Sequence, residues 1–94
     1  MPQIKQLLEW LILGSKGGET RKKIIFALRK KPSNIHNLAL QLKMDYKSIQ
    51  HHINILTENQ LITHMGKSYG KVFFISPELE DQFDLFNKMT GESD

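Results

Sequence analysis

"MDYKSIQHHINIL", residues 44–56, carries the reading that decides the fold. Asp45 is a suitable N-cap, and the spacing after it predicts a helix over residues 46–59. At about 100° per residue, Ile49, Ile53 and Leu56 fall within roughly 60° of one another and define a core face. The two adjacent histidines then separate. His52 lies about 60° from Ile49, at the edge of the core face, where it packs and donates a hydrogen bond. His51 lies about 160° away, on the outer face with Lys47, Asn54 and Glu58, and with Gln50 and Ser48 at its margins. The plain alternative for His51 is an ordinary exposed side chain. A metal pair is disfavoured because ligands at i and i+1 diverge, whereas i and i+4 would converge.

Upstream, "IHNLALQL" (residues 35–42) reads as a short helix with Asn34 as its cap and Leu38, Ala39 and Leu42 as its packing face, ending at a break over "KM". Residues 19–31, "ETRKKIIFALRKK", form a longer helix with Ile24, Ile25 and Leu28 buried, stopped before Pro32. "GSKGG" (residues 14–18) separates it from a first helix over residues 3–13, where Ile4, Leu7, Leu8, Leu11 and Ile12 share one face and Trp10 and Leu13 another. Downstream, "LITHMGKSYGKVFFIS" (residues 61–76) places two β-prone runs around a glycine-flanked polar tip, a hairpin signal. Pro77 opens a last helix over residues 78–89, with Leu79, Phe83 and Phe86 on one face. The order α-α-α-α-β-β-α is that of a winged helix-turn-helix, mainly α with a small β-hairpin (α+β), in a single domain spanning residues 1–94.

Charge agrees with a polyanion partner. Residues 1–76 carry a balance of +8 and residues 77–94 one of −5. The chain has no cysteine, which removes disulfides and thiolate metal sites and fits a cytoplasmic location. No apolar run reaches the ~18 residues of a membrane span, and no signal peptide is evident. Nor is there a nucleophile constellation, a carboxylate pair in a cleft or a P-loop, "GSKGG" being too short for one, so an enzyme is not expected.

The segment "NLALQLKMDYKSIQHHINILTENQLI", followed by "GKSYGKVFFIS", resembles the winged-helix regulators of the ArsR superfamily, and is most similar to small archaeal members that sense no metal. The resemblance covers about residues 19–76, and its most specific part is Ser48, His51, His52, Ile53 and Leu56. It implies a homodimer, joined through the first and last helices, that binds operator DNA. Three departures accompany it. The paired cysteines of metal-sensing members are missing, the last helix carries no histidine, and Lys43 stands where the turn often has glycine. A left-handed Lys43 would cost roughly 1–2 kcal/mol; the alternative is a turn of another shape.

These readings give a specific set of expectations. The helix over residues 46–59, second of the helix-turn-helix over residues 35–59, enters the major groove with Tyr46, Lys47, Ser48, Gln50, His51 and Asn54. Gln50 and Asn54 suit adenine, and Lys47 suits guanine or phosphate. Lys67 and Lys71 in the wing, with Arg21, Lys22 and Lys43, neutralise phosphate, and Tyr69 at the wing tip lies against sugar or stacks. The wing, residues 66–71 of the hairpin, meets the backbone or minor groove. Dimerisation is assigned to Ile4, Leu8, Trp10 and Leu11 in residues 1–14 and to Leu79, Phe83, Phe86 and Met89 in residues 78–90, placing two recognition helices about 34 Å apart. Neither a metal nor another cofactor is expected. The alternative is a winged-helix protein–protein module without specific DNA binding.

Overall fold

The computed structural model describes residues 3–67 and 70–91. Helix α1 (Ile4–Leu8) runs into a π-helical turn over Glu9–Leu13. There follow α2 (Gly18–Lys30), α3 (Ile35–Leu42), α4 (Tyr46–Glu58), strands β1 (Ile62–Met65) and β2 (Val72–Ile75), and then α5 (Pro77–Asp81) and α6 (Phe83–Thr90). This is a winged helix-turn-helix of mainly α type.

One core joins all of these elements. Leu8, Leu11 and Ile12 from the first helix meet Ile24, Ile25 and Leu28 of α2, Leu38 of α3, and Ile49, Ile53 and Leu56 of α4. Leu61, Ile62 and Phe73 from the hairpin, and Leu79, Phe83 and Phe86 from the last helices, complete it. Helix α2 is central, touching the π-helical turn, α3, α4 and β2. Its first residue must be glycine, because a Cβ on Gly18 would collide with the Ile12 carbonyl oxygen.

The turn between α3 and α4 is tight. Lys43 adopts a left-handed conformation (φ 57°, ψ 45°), its N–H donates to Leu40 O (3.3 Å), and the N–H of Met44 donates to Ala39 O (3.0 Å). The carbonyls left open at the helix end are thereby satisfied, at the expense of a strained lysine. Asp45 then caps α4, accepting from Ser48 N (3.1 Å) and Ser48 Oγ (2.8 Å). Those bonds stabilise the carboxylate and hold its pKa below the ordinary value. Gln60, after α4, is also left-handed (φ 61°), a feature that no sequence signal announces.

β1 and β2 pair antiparallel, Ile62 with Ile75 and Met65 with Val72. The hairpin is also anchored partway along its second strand. Ser33, just before α3, bridges Phe73 through two backbone bonds, N to O at 3.1 Å and O from N at 2.8 Å. At the tip Gly66 has φ +93°, and a Cβ there would meet the Gly70 carbonyl.

Three expectations need correction here. The first helix is not α-helical throughout, since its second half is π-wound. The last helix is broken at Gln82 (φ −107°, ψ 18°) into α5 and α6. Most importantly, five residues assigned to a dimer interface lie inside the chain's own core: Leu8, Leu79 and Phe86 at 0% exposure, Phe83 at 2% and Leu11 at 5%. For the last helices the reason is aromatic packing on α2. Phe26 meets Phe83 edge-on (centroids 5.7 Å, 80°) and Phe86 at 5.1 Å. Arg29 covers the Phe83 ring at 4.1 Å while donating to both carboxylate oxygens of Glu80, at 3.2 and 3.3 Å. The apolar face of residues 79–86 is thus already occupied.

Candidate nucleic-acid interface

The outer side of α4 is a solvent-facing strip. Tyr46, Lys47, Gln50, His51 and Asn54 are all exposed. Opposite them, Ile49, Ile53 and Leu56 are fully buried, so the core fixes how the helix is rotated and therefore which residues look outward. Ser48 is half-buried and its hydroxyl hydrogen is committed to Asp45, leaving it only as an acceptor. Lys43 is exposed at the turn.

The wing comes close to this strip. A cleft of about 280 Å³ between α4 and β2 is lined by Tyr46, Gln50 and Asn54 from α4 and by Lys71 and Phe73 from the hairpin. Asn34, Ile35 and His36 complete it. Asn34 and His36 are polar groups that the sequence reading did not place here. Asn34 was legible only as the cap of α3, which it is, accepting from Asn37 N at 2.7 Å. Its second position, beside the wing, follows from the Ser33–Phe73 bridge, a pairing of residues forty apart in the chain. Lys67 and Lys71 are exposed on either side of the wing tip, and Tyr69 lies outside the described residues.

Two of the expected phosphate contacts are placed elsewhere. Arg21 is 7% exposed and faces inward. Its Nη1 donates to Leu11 O (2.9 Å) and Ser15 Oγ (2.8 Å), and its Nε to His52 Nδ1 (3.3 Å). Arg21 is therefore a structural node and not a surface cation. Lys22 is half-buried and ion-paired with Glu19 at 3.1 Å, one turn away. Helical periodicity places both residues on α2, but only the arrival of Leu11, Ser15 and His52 from other segments determines what covers Arg21.

The histidines divide as their wheel positions require. His51 is exposed and His52 half-buried, their rings 5.3 Å apart. Among the described residues His52 accepts a hydrogen bond, where the sequence leads one to expect that it donates one. A guanidinium can only donate, so Nδ1 carries the lone pair and the ring is neutral with its proton on Nε2. Burial first, then the charges of Arg21 and His51, push its pKa below the ordinary value. Among the described residues, no three of His, Asp and Glu gather as a metal site.

A helix pair with a tight turn, a core-locked second helix with a polar outer face, and a basic hairpin beside it define the class: winged helix-turn-helix regulators that bind DNA. Residues 18–71 match the model of the bacterial regulatory protein, arsR family, over more than half of the chain, and the chain belongs to that family. Two solved structures share the fold. An ArsR-like transcriptional regulator from Rhodococcus sp. RHA1 superposes with a TM-score of 0.66 at 16% identity, over 97% of this chain and 84% of that one. The transcriptional regulator HlyU from Vibrio vulnificus CMCP6 gives 0.64 at 18% identity, over 92% and 88%. No curated protein sequence matches the chain. Membership of this family makes the chain a DNA-binding transcription regulator and not an enzyme. Among the described residues no helix is long and apolar enough to cross a membrane.

Proposed function

We propose that the protein is a sequence-specific regulator that binds double-stranded DNA as a homodimer in the cytoplasm, through α4 in the major groove and the wing on the backbone or minor groove. The observation that carries this is the exposed strip Lys47–Gln50–His51–Asn54, held outward by the burial of Ile49, Ile53 and Leu56 on the opposite side of the same helix. Gln50 and Asn54 offer the paired donor and acceptor that adenine requires, and Lys47 donates to guanine or phosphate. Lys43, Lys67 and Lys71 supply phosphate contacts that set position without reading sequence. Asn34 and His36 border the same cleft and join this set.

The dimer surface is smaller than the apolar pattern of the sequence suggests. Trp10 and Leu13 remain 65% and 56% exposed on the first helix, while Ile4 and Met89 are half-buried against the core. Two large exposed apolar side chains on one short helix suit a contact with a second copy. No metal enters this reading, because the chain lacks cysteine and its adjacent histidines diverge.

Selection of binding sites from random duplexes, followed by fluorescence-anisotropy titration over a salt series, tests the proposal. A selected duplex should bind at least about a thousandfold more tightly than random sequence. Equal affinity for both would refute sequence-specific reading. Weak binding with little salt dependence would instead favour a protein–protein module.

A further inference from the structure

We infer that the cavity between the π-helical turn and the C-terminal half of α4 is an effector site for a small organic carboxylate, with Arg21 as its anion-binding group. The regulatory part of this inference rests on the DNA-binding role proposed for α4. The cavity has a volume of about 320 Å³, with apolar walls from Trp10, Leu11 and Ile55 and a polar margin from Ser15 and Glu58.

Arg21 contributes to its lining although the residue is only 7% exposed. It is a buried cation without a counter-ion: among the described residues no carboxylate pairs with it. Burial of an unpaired charge is expensive, and an opposite charge is what relieves it. The guanidinium is also incompletely used. Nε and Nη1 are engaged by His52, Leu11 O and Ser15 Oγ, while Nη2 makes no hydrogen bond to a described residue. Its two N–H groups are the strong, directional donors that a carboxylate takes. The apolar walls call for a hydrocarbon or aromatic body on the ligand, and Trp10 is 65% exposed.

The site is wired to the DNA-reading helix. The same guanidinium holds His52, next to His51 of the outer strip, and its other bonds hold the π-helical turn and Ser15. Local π-winding is frequent at functional sites. A carboxylate drawing on Arg21 competes with the 3.3 Å bond to His52, the longest of the three. It should therefore loosen the edge of α4 and weaken DNA binding, and by linkage DNA should weaken carboxylate binding by the same factor.

Trp10 is the single tryptophan of the chain, so its fluorescence reports occupancy directly. The test titrates phenylacetate and its neutral isostere phenylacetamide into the full chain without DNA. Phenylacetate should change the emission saturably and bind at least about tenfold more tightly than the amide. Glu58→Lys, an exposed change that alters only the charge at the margin, should tighten phenylacetate a further ~3-fold or more and leave the amide unchanged. Arg21→Lys should reduce the preference for the carboxylate. If that variant does not fold, the Glu58→Lys comparison decides. No saturable change, equal binding of acid and amide, or indifference to Glu58→Lys overturns the site. Anisotropy on the selected duplex, with and without saturating phenylacetate, then reads regulation, with at least about a threefold loss of affinity expected. Unchanged affinity overturns the effector role. If the chain binds no duplex at all, that failure belongs to the proposed function, and the fluorescence result still decides the site.

Discussion

The Nε of Arg21 donates to the Nδ1 of His52 across 3.3 Å, fastening the second helix to the inner edge of the fourth. The bond exists only while His52 is neutral, and burial, Arg21 and His51 all favour that form. The folded-state pKa of His52 therefore lies below its unfolded value of 6.5. As pH falls below 6.5 the unfolded chain takes up a proton before the folded chain does, so this contribution is complete above 6.5 and is lost as pH falls toward the folded pKa. Urea midpoints measured between about pH 7.5 and about pH 5 should decline on the acid side, and His52→Gln should flatten that part of the curve. Asp45 acts at lower pH. Its pKa is also depressed, so its contribution holds above 3.8 and is lost below, separate from the histidine window.

Lys43 is both strained and exposed. Lys43→Gly removes a left-handed penalty of roughly 1–2 kcal/mol and returns about 0.4–1 kcal/mol through the freer unfolded chain. Stability should rise by up to about 1.6 kcal/mol in a denaturant melt. DNA affinity should move the other way, falling equally on all sequences with the salt slope shallower by about 1. A variant more stable and equally tight on DNA would remove Lys43 from the interface.

Trp10 and Leu11 are neighbours in sequence with opposite expected phenotypes. Leu11 is 5% exposed, so Leu11→Ala should destabilise the fold by about 2–5 kcal/mol. Trp10 is 65% exposed, so Trp10→Glu should keep the fold and move the protein to monomer in analytical ultracentrifugation. A wild-type monomer at tens of micromolar, roughly the usual assay range, would count against the homodimer.

His51→Ala should weaken binding to the selected duplex by about 1–3 kcal/mol with little change in melting, because the ring is exposed. His52→Ala should cost roughly 0.5–3 kcal/mol of stability by removing the acceptor of Arg21. Reversed phenotypes would mean that α4 faces DNA with a different side.

Zinc and chelators should leave DNA binding unchanged. Anisotropy titrations with and without zinc check this, and a stoichiometric zinc site that releases the duplex would contradict it.

What the sequence determined by itself is the order of elements, the cap at Asp45 and the rotation of α4. Apolar residues at positions 49, 53 and 56 leave a helix only one way to bury them, and the separation of His51 from His52 follows from 100° per residue. The break after Leu42 was equally legible, but two turn shapes fitted it, and only the structure decided that Lys43 is left-handed. Tertiary structure alone decided which apolar and cationic residues remained available. The pattern marks Leu79, Phe83 and Phe86 as apolar on one face but cannot say whether α2 or a second copy covers them. Phe26 and Arg29 settle that from within the chain. Likewise Arg21 reads as one cation in a basic run until the Leu11 carbonyl, Ser15 and His52 converge on it from three other segments. Periodicity specifies direction relative to a helix axis; burial depends on what arrives from elsewhere in the chain, and contacts distant in sequence leave no local signal.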